Sequence, residues 1–351
     1  MGAEGDLKFM KRCLELAYKA QGYTYPNPVV GCVIVNDDII IGEGYHLKAG
    51  GPHAEVNAIC SVTDRGLLKS SVLYVNLEPC SHFGKTPPCT DLIIKSGIRK
   101  VIIGVKDSSA NVAGMGIQKL KDAGCEVVTG ILEKESRWIN RRFFTFHEKK
   151  RPYIILKWAQ SADGFIDFRR DEPFTQRPAW ITGEAERVLV HKWRSSEQLI
   201  LAGALTIKKD NPRLNVREWA GSDPVRAILS GSGDLGQDHY VFKLPGRNLV
   251  FTYNNEFKLI GADAVILNRE MASSEQIVDY LFKEGIQSMF IEGGYQVLDH
   301  FISTGLWDEA RIFYGKDLYY DGIPAPSIKG EVISCEEYSR STLKVLVNEV
   351  D

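Results

Sequence analysis

The chain has 351 residues, a length that accommodates two domains. Hydrophobic residues make up 44% and charged residues 25%, a globular composition that excludes a disordered or fibrous chain. With 43 Lys+Arg against 45 Asp+Glu the net charge is −2, which argues against a protein that coats nucleic acid or an anionic membrane.

Met1–Asp6 lacks the basic flank and apolar core of a secretory signal, and no apolar run approaches the roughly 20 residues of a membrane span. A cytoplasmic protein is expected, with neither membrane nor nucleic acid as partner. In a reducing compartment the seven scattered cysteines suit metal ligation better than disulfides.

Leu7–Ala20 predicts an amphipathic helix. Val29–Val35 and Ile39–Tyr45 predict a hairpin across the turn signal Asn36-Asp37-Asp38. A helix from Ala54 to Cys60 and a strand over Val72–Asn76 follow. A helix over Asp91–Ser96 stops at Gly97. Strand Lys100–Val105, helix Gly116–Ala123 and strand Glu126–Thr129 complete a three-layer α/β/α pattern. The basic stretch His147–Arg151, closed by Pro152, interrupts it, so domains are expected at 1–148 and 151–351. The second half again alternates: strand Tyr153–Trp158, helix Glu184–Arg194, strands Gln198–Ala202, Val225–Leu229 and Asn248–Thr252, helix Ser274–Glu284, strand Ser288–Ile291, helix Tyr295–Ser303 and strand Glu309–Tyr314.

His53-Ala54-Glu55 precedes Pro79-Cys80 by about one helix and one strand, and Cys89 closes the set. One imidazole and two thiolates suit Zn²⁺, and three protein ligands leave a fourth position open, as in catalytic sites. Zinc lowers the pKa of a water at that position toward neutrality. Glu55 can face the same pocket from the first helical turn and move protons. His-x-Glu followed by Pro-Cys-x-x-Cys is the signature of zinc nucleobase deaminases. This chain departs from it with eight residues between the cysteines instead of two. Two other readings are a nucleic-acid base deaminase with an unrelated C-terminal domain and a non-enzymatic zinc scaffold. The charge balance and the Cys80–Cys89 insertion oppose the first. Glu55 opposes the second, because a structural site needs four ligands and no adjacent acid.

Pro26-Asn27-Pro28-Val29-Val30-Gly31, Gly44-Tyr45-His46, His53-Ala54-Glu55 and the run from Glu78-Pro79-Cys80 through Ser81-His82-Phe83-Gly84-Lys85 to Cys89 together resemble the bifunctional riboflavin-biosynthesis deaminase/reductase family. In the second half Leu156–Gly164, Trp180-Ile181-Thr182-Gly183, Asp210–Arg217 and Glu292-Gly293-Gly294 resemble its reductase part. The resemblance implies a cytidine-deaminase-like domain followed by a dihydrofolate-reductase-like α/β domain. It implies zinc and NADPH as cofactors. The implied substrate is a phosphorylated pyrimidine, deaminated first and then reduced at its ribose. Asn27, His46, His82, Lys85 and Asp107 would then surround the pyrimidine or its ribose phosphate. Ala159, Trp180, Thr206 and Asp210 would line the NADPH site. Arg194, Leu214, Arg217 and Glu292 would hold the reductase substrate, and Lys157 and Asp163 would position its ribose. A homo-oligomer, dimer or tetramer, is expected, since small α/β domains often share edges or pockets.

Three departures stand out. Ser109 replaces the family's ligand Asn, with Asn111 as a substitute. Pro178 replaces a substrate-binding Ser. Lys208-Lys209 occupy a place where the family commonly has smaller or apolar residues. Gly231-Ser232-Gly233-Asp234-Leu235-Gly236 imitates a dinucleotide fingerprint, but the residues after it read as strand and loop, not as the required helix. Gly293-Gly294 follows a strand and opens a helix, which makes it the better phosphate site.

Overall fold

The computed structural model describes residues 3–83, 87–109, 114–169 and 180–348. Lys85, Asn111 and Pro178 lie outside the described residues. The chain forms two compact units, Met1–Lys150 and Arg151–Asp351.

The elements of the first unit are α1 (Ala3–Tyr18), β1 (Gly31–Asn36), β2 (Ile39–Tyr45), α2 (Ala54–Ser61), a 3₁₀ turn (Arg65–Ser70), β3 (Val72–Leu77), α3 (Cys89–Lys95), β4 (Lys100–Val105), α4 (Met115–Asp122), β5 (Glu126–Thr129), α5 (Glu133–Ile139) and α6 (Arg141–Lys149). The sheet order is β2-β1-β3-β4-β5. β1 is antiparallel to both β2 and β3, whereas β3, β4 and β5 run parallel. Strand alternation divides the core. Cys32, Ile34, Leu73 and Val75 face Ala58, Ile59, Ile93 and Leu120 on one side. Val33, Val35 and Tyr74 face Phe9, Met10, Cys13 and Leu16 on the other. These are the two helical layers of an α/β/α sandwich. At the hairpin Asp37 and Asp38 both have positive φ, 47° and 62°. Two such residues match the right-handed twist of the flanking strands. α2 crowds β2: a Cβ at Gly44 would stand 2.5 Å from the Ala58 nitrogen.

α5 and α6 fill the stretch before Arg151, where no element is predicted, and α6 takes in the basic residues from His147 to Lys149. Phe143 and Phe144 of α6 bury against Leu77 and Val105, so the basic residues at its end belong to a packed helix.

The second unit contains β6 (Tyr153–Gln160), β7 (Phe165–Asp167), α7 (Glu184–Ser196), β8 (Leu199–Gly203), α8 (Ala204–Asp210), β9 (Val225–Leu229), α9 (Tyr240–Lys243), β10 (Asn248–Thr252), β11 (Asp263–Ile266), α10 (Ser273–Lys283), β12 (Ser288–Glu292), α11 (Tyr295–Ser303), β13 (Glu309–Gly315), β14 (Ile323–Pro324), β15 (Glu331–Glu337) and β16 (Ser341–Val347). Among the described residues its main sheet has the order β11-β10-β9-β8-β12-β6-β13-β16-β15. The strands from β11 to β13 are parallel, and β16 and β15 are antiparallel additions. One face packs on Ile277, Leu281, Leu298 and Phe301 of α10 and α11. The other packs on Ile207, Leu214, Val241 and Phe242. The residues after Gly236 include the short helix α9 where strand and loop are expected. Val241 and Phe242 bury one side of it. The chain winds outward from β8 to β11 and returns at β12, between β8 and β6. Such a switch in direction opens a crevice beyond the carboxyl ends of the strands.

Candidate functional site

In the first unit His53 caps α2, Cys80 follows β3 and Cys89 is the first residue of α3. Their donor atoms all lie within 4.8 Å of one another. His53 Nδ1 stands 3.5 Å from Cys80 Sγ and 3.3 Å from Cys89 Sγ. A tetrahedral zinc, with bonds of about 2.3 Å to sulfur and about 2.0 Å to nitrogen, spaces N and S donors by about 3.5 Å. The residues therefore fit the metal. Hydrogen bonding by Cys89 pushes the Cys80 thiol down, as expected when one proton serves two neighbouring sulfurs. Among the described residues the cluster of mutually close donors stops at three.

Glu55 lies in the first turn of α2 and is almost fully buried. Burial pushes its carboxyl up, and the Cys80 charge adds to this. His46 connects the cluster to Asn27. Its Nδ1 donates to the Pro52 carbonyl at 3.0 Å, which leaves Nε2 to accept from Asn27 Nδ2 at 3.1 Å. That pattern requires the neutral ring, and burial lowers its pKa in the same direction. The His46 and His53 rings meet edge to face at 5.3 Å. His82 is exposed, and Asp107 is buried with Oδ1 accepting from Ser109 N at 2.6 Å.

Three site-building residues escaped the sequence analysis. Glu78 accepts from the backbone N–H of Asp107, Gly114, Gly116 and Ile117, so one carboxylate anchors both ends of the segment after β4. Asn76 and Asn140 each bond the main chain around Val29, two residues after Asn27. The run Glu78-Pro79-Cys80 held the only sequence signal for any of them.

In the second unit a cavity of about 910 Å³ opens at the carboxyl ends of β6, β8, β9 and β12. Lys157, Ala159, Thr206, Asp210, Glu292, Gly293 and Gly294 line it. α11 begins there behind Gly294 with no side-chain cap, and Tyr295 and Gln296 of its first turn also line the cavity. Gly294 N donates to Thr206 Oγ1 at 3.1 Å, and a Cβ at Gly294 would lie 3.3 Å from that oxygen. A dinucleotide phosphate fits such a helix start. Gly231 also borders the cavity, next to Leu229 and Tyr253.

β12 and β6 pair Glu292 with Lys157 in register. Arg194 grips Glu292 through two bonds of 2.6 and 2.8 Å and also bonds the Asn215 carbonyl. Burial works to raise the Glu292 pKa, but the charge and hydrogen bonds of Arg194, with Lys157, hold it down at about 2. Burial lowers Lys157. Of the other expected residues, Asp163 accepts from the backbone of Tyr319 and Tyr320 and from Ser161, so it fastens a turn outside the cavity lining. Trp180 is half-exposed beneath the Arg187 guanidinium. Leu214 is buried at a positive φ of 50°. Arg217 stands beside α7, its N–H donating to His191 Nδ1.

Residues 3–105 match the cytidine and deoxycytidylate deaminase zinc-binding region, and residues 152–315 match the RibD C-terminal domain. The riboflavin biosynthesis protein RibD of Aquifex aeolicus is 38% identical over 338 residues, covering 94% of this chain and 90% of its own length. The crystal structure of a diaminohydroxyphosphoribosylaminopyrimidine deaminase/5-amino-6-(5-phosphoribosylamino)uracil reductase from Thermotoga maritima superimposes with a TM-score of 0.90 at 37% identity, covering 99% of both chains. A structure of Acinetobacter baumannii RibD gives 0.88 at 31%, with the same coverage. Both halves match in order and over nearly the full length, and the chain belongs to the RibD family of riboflavin-biosynthesis proteins.

Proposed function

We propose that the chain catalyses two consecutive steps on one phosphorylated pyrimidine in riboflavin biosynthesis. The first hydrolyses the 2-amino group of 2,5-diamino-6-ribosylamino-4(3H)-pyrimidinone 5′-phosphate and releases ammonia. The second uses NADPH to convert the ribosyl group to ribityl. The observation that carries this reading is the donor triad of His53, Cys80 and Cys89 with the buried Glu55 beside it, in a chain whose second unit has an uncapped helix start over a cavity.

In the deaminase, His53, Cys80 and Cys89 would hold zinc, which would supply Lewis acidity toward a water molecule. Glu55 carries one proton of the attacking water to the ring nitrogen and then the second, from the hydroxyl formed at C2, to the departing amine. The C2–N bond breaks as the carbonyl forms. Neutral His46 holds Asn27 against the pyrimidine, and Glu78 holds Asp107 in place. His82 and Lys85, the latter outside the described residues, are assigned by the family resemblance to the surroundings of the pyrimidine or its ribose phosphate.

In the reductase, NADPH supplies the hydride. Gly293, Gly294 and the start of α11 receive its phosphates, with Ala159, Thr206 and Asp210 along the same cavity and Trp180 at its approach. Lys157, Asp163 and Glu292 are the candidate acids for the opening sugar; Asp163 is engaged elsewhere and Glu292 is held ionised. Lys157 is the remaining proton source. Burial weakens its hold on the proton, and it faces the cavity. Arg194 acts through Glu292, while Leu214 and Arg217 shape the substrate's phosphate end.

The phosphate site has its own test. Gly294 has φ −68° and ψ 171°, where any residue is comfortable. Gly294→Val should therefore fold, yet fill the helix start. The NADPH Kd is expected to rise at least about tenfold with ammonia release unchanged. Unaltered NADPH binding would refute the assignment.

The division of labour, 1–148 for deamination and 151–351 for reduction, is part of the proposal. The full chain should release ammonia from the diaminopyrimidine and then oxidise NADPH. A chain truncated after Lys150 should keep zinc and ammonia release alone. Ammonia release that depends on residues beyond 151 would overturn the division. We include in the proposal a cytoplasmic homo-oligomer, dimer or tetramer, with a small-molecule substrate and no nucleic-acid partner. Among the described residues no helix is long and apolar enough to cross a membrane.

A further inference from the structure

We propose that Glu218 is a resident anion that competes with the substrate's phosphate for Arg217, and so sets the reductase's affinity for phosphorylated ligands. The inference rests on the reading of Arg217 as a phosphate contact. It goes beyond that reading by assigning a role to a residue outside every motif discussed above.

The geometry is that of a carboxylate held among cations. α7 presents Arg187, His191 and Arg194 at spacings of four and three residues, on one helical face. Arg194 is committed to Glu292. Arg187 Nε donates to Glu218 Oε2 at 2.9 Å. The second oxygen, Oε1, faces Arg217 Nε at 3.7 Å and His191 Nε2 at 3.8 Å. His191 accepts the Arg217 backbone N–H at Nδ1, so its ring proton is on Nε2 and points toward Glu218. The ring is buried and stays neutral, its pKa held at about 4 by burial and by the charges of Arg194 and Arg217. Arg217 also feels Arg194, Arg213 and Arg187 as like charges. The patch therefore holds more cations than carboxylates and attracts an anion.

At 3.7 Å the Arg217 guanidinium is near the carboxylate but beyond hydrogen-bond length. Among the described residues its side chain makes no hydrogen bond. A phosphate dianion can take those donors at full strength, but only against the charge of Glu218. A singly charged anion gains less from the arginines and is repelled less in the same proportion, so Glu218 lowers the affinity of every free anion here. A phosphate then binds well only when its attached body makes contacts of its own.

The test replaces Glu218 by Gln, which can still accept from Arg187 but carries no charge. KM for the deaminated pyrimidine phosphate is expected to fall about three- to tenfold with kcat little changed. Inorganic phosphate, the free-anion probe, should become a correspondingly tighter competitive inhibitor, and added salt should erase much of the gain. The NADPH Kd should not move. Glu218→Ser gives a second, smaller uncharged side chain and should shift KM the same way. Arg217→Ala is the control for the underlying reading and should raise KM. If Arg217→Ala raises KM while both Glu218 variants leave it unchanged or raised, the competing-anion role is wrong and the phosphate contact stands. If Arg217→Ala has no effect on KM, the phosphate contact fails and the inference with it. A purely structural Glu218 would disturb kcat and NADPH binding and would not tighten phosphate.

Discussion

Glu55→Gln should abolish ammonia release while the chain keeps one zinc. Gln has nearly the same shape, so the buried first turn of α2 retains its packing. His53, Cys80 and Cys89 are untouched, and their donor atoms remain within 4.8 Å of one another. The lost property is proton transfer. An amide can neither accept the proton of the attacking water nor deliver one to the departing amine. A positioned acid–base group contributes about 10²–10⁴-fold, and Glu55 is used at more than one step, so the upper end of that range is expected. Zinc content and ammonia release, measured on the same preparation, check the result. NADPH oxidation should continue when the deaminated pyrimidine is supplied directly. Retained deamination would remove Glu55 from the mechanism, and loss of zinc would make it a structural support of the metal site.

The donor triad His53, Cys80 and Cys89 was legible because its residue types and order are rare together, and because zinc requires such donors whatever surrounds them. The sheets were legible for a different reason. Runs such as Val33–Val35 alternate between two buried faces, and the turn at Asp37-Asp38 admits positive φ. Long-range polar bonds left no such local mark. Glu78 reaches N–H groups up to 39 residues away, Asn140 reaches Val29 across 111 residues, and Arg194 meets Glu292 across 98. α6 was hidden because its charged end resembles a linker, although Phe143, Phe146 and His147 stand at helical spacing and the Phe143 ring packs on His147. β15 is an exposed edge strand, so no alternation between a buried and a wet face marks it. Asp163 shows the opposite failure. Its motif pointed to ribose, but the carboxylate caps the backbone at Tyr319 and Tyr320, two N–H groups that no local pattern could announce.

Glu292→Gln should weaken the second unit and slow its chemistry together, with a pH signature of its own. The Glu292 and Arg194 side chains are only 13% and 11% exposed, and their two bonds are short. Removing the charge leaves Arg194 and Lys157 buried without the carboxylate that Arg194 hydrogen-bonds, which costs about 3–5 kcal/mol for a buried pair broken on one side. The titration gives a similar figure. Glu292 is held at about 2 instead of its ordinary 4.5, a difference worth about 3 kcal/mol. A depressed carboxyl pKa stabilises the fold above the unfolded value, and that contribution disappears as pH falls through the folded one. The stability gap between the parent chain and Glu292→Gln should therefore be constant above about pH 5 and close between about pH 4.5 and pH 2. Denaturation of the second unit followed by tryptophan fluorescence, through Trp158, Trp193 and Trp307 among others, at pH 7, 4 and 3, reads the gap directly. A gap that stays flat down to pH 3 would show that the Arg194 pair does not hold Glu292 ionised. Catalysis should fall further than stability alone explains. Lys157 loses its counter-ion and binds its proton less tightly, and the substrate end of the cavity loses its one fixed carboxylate on β12. A loss in kcat of about 10²-fold is expected at neutral pH, with ammonia release by the first unit unchanged.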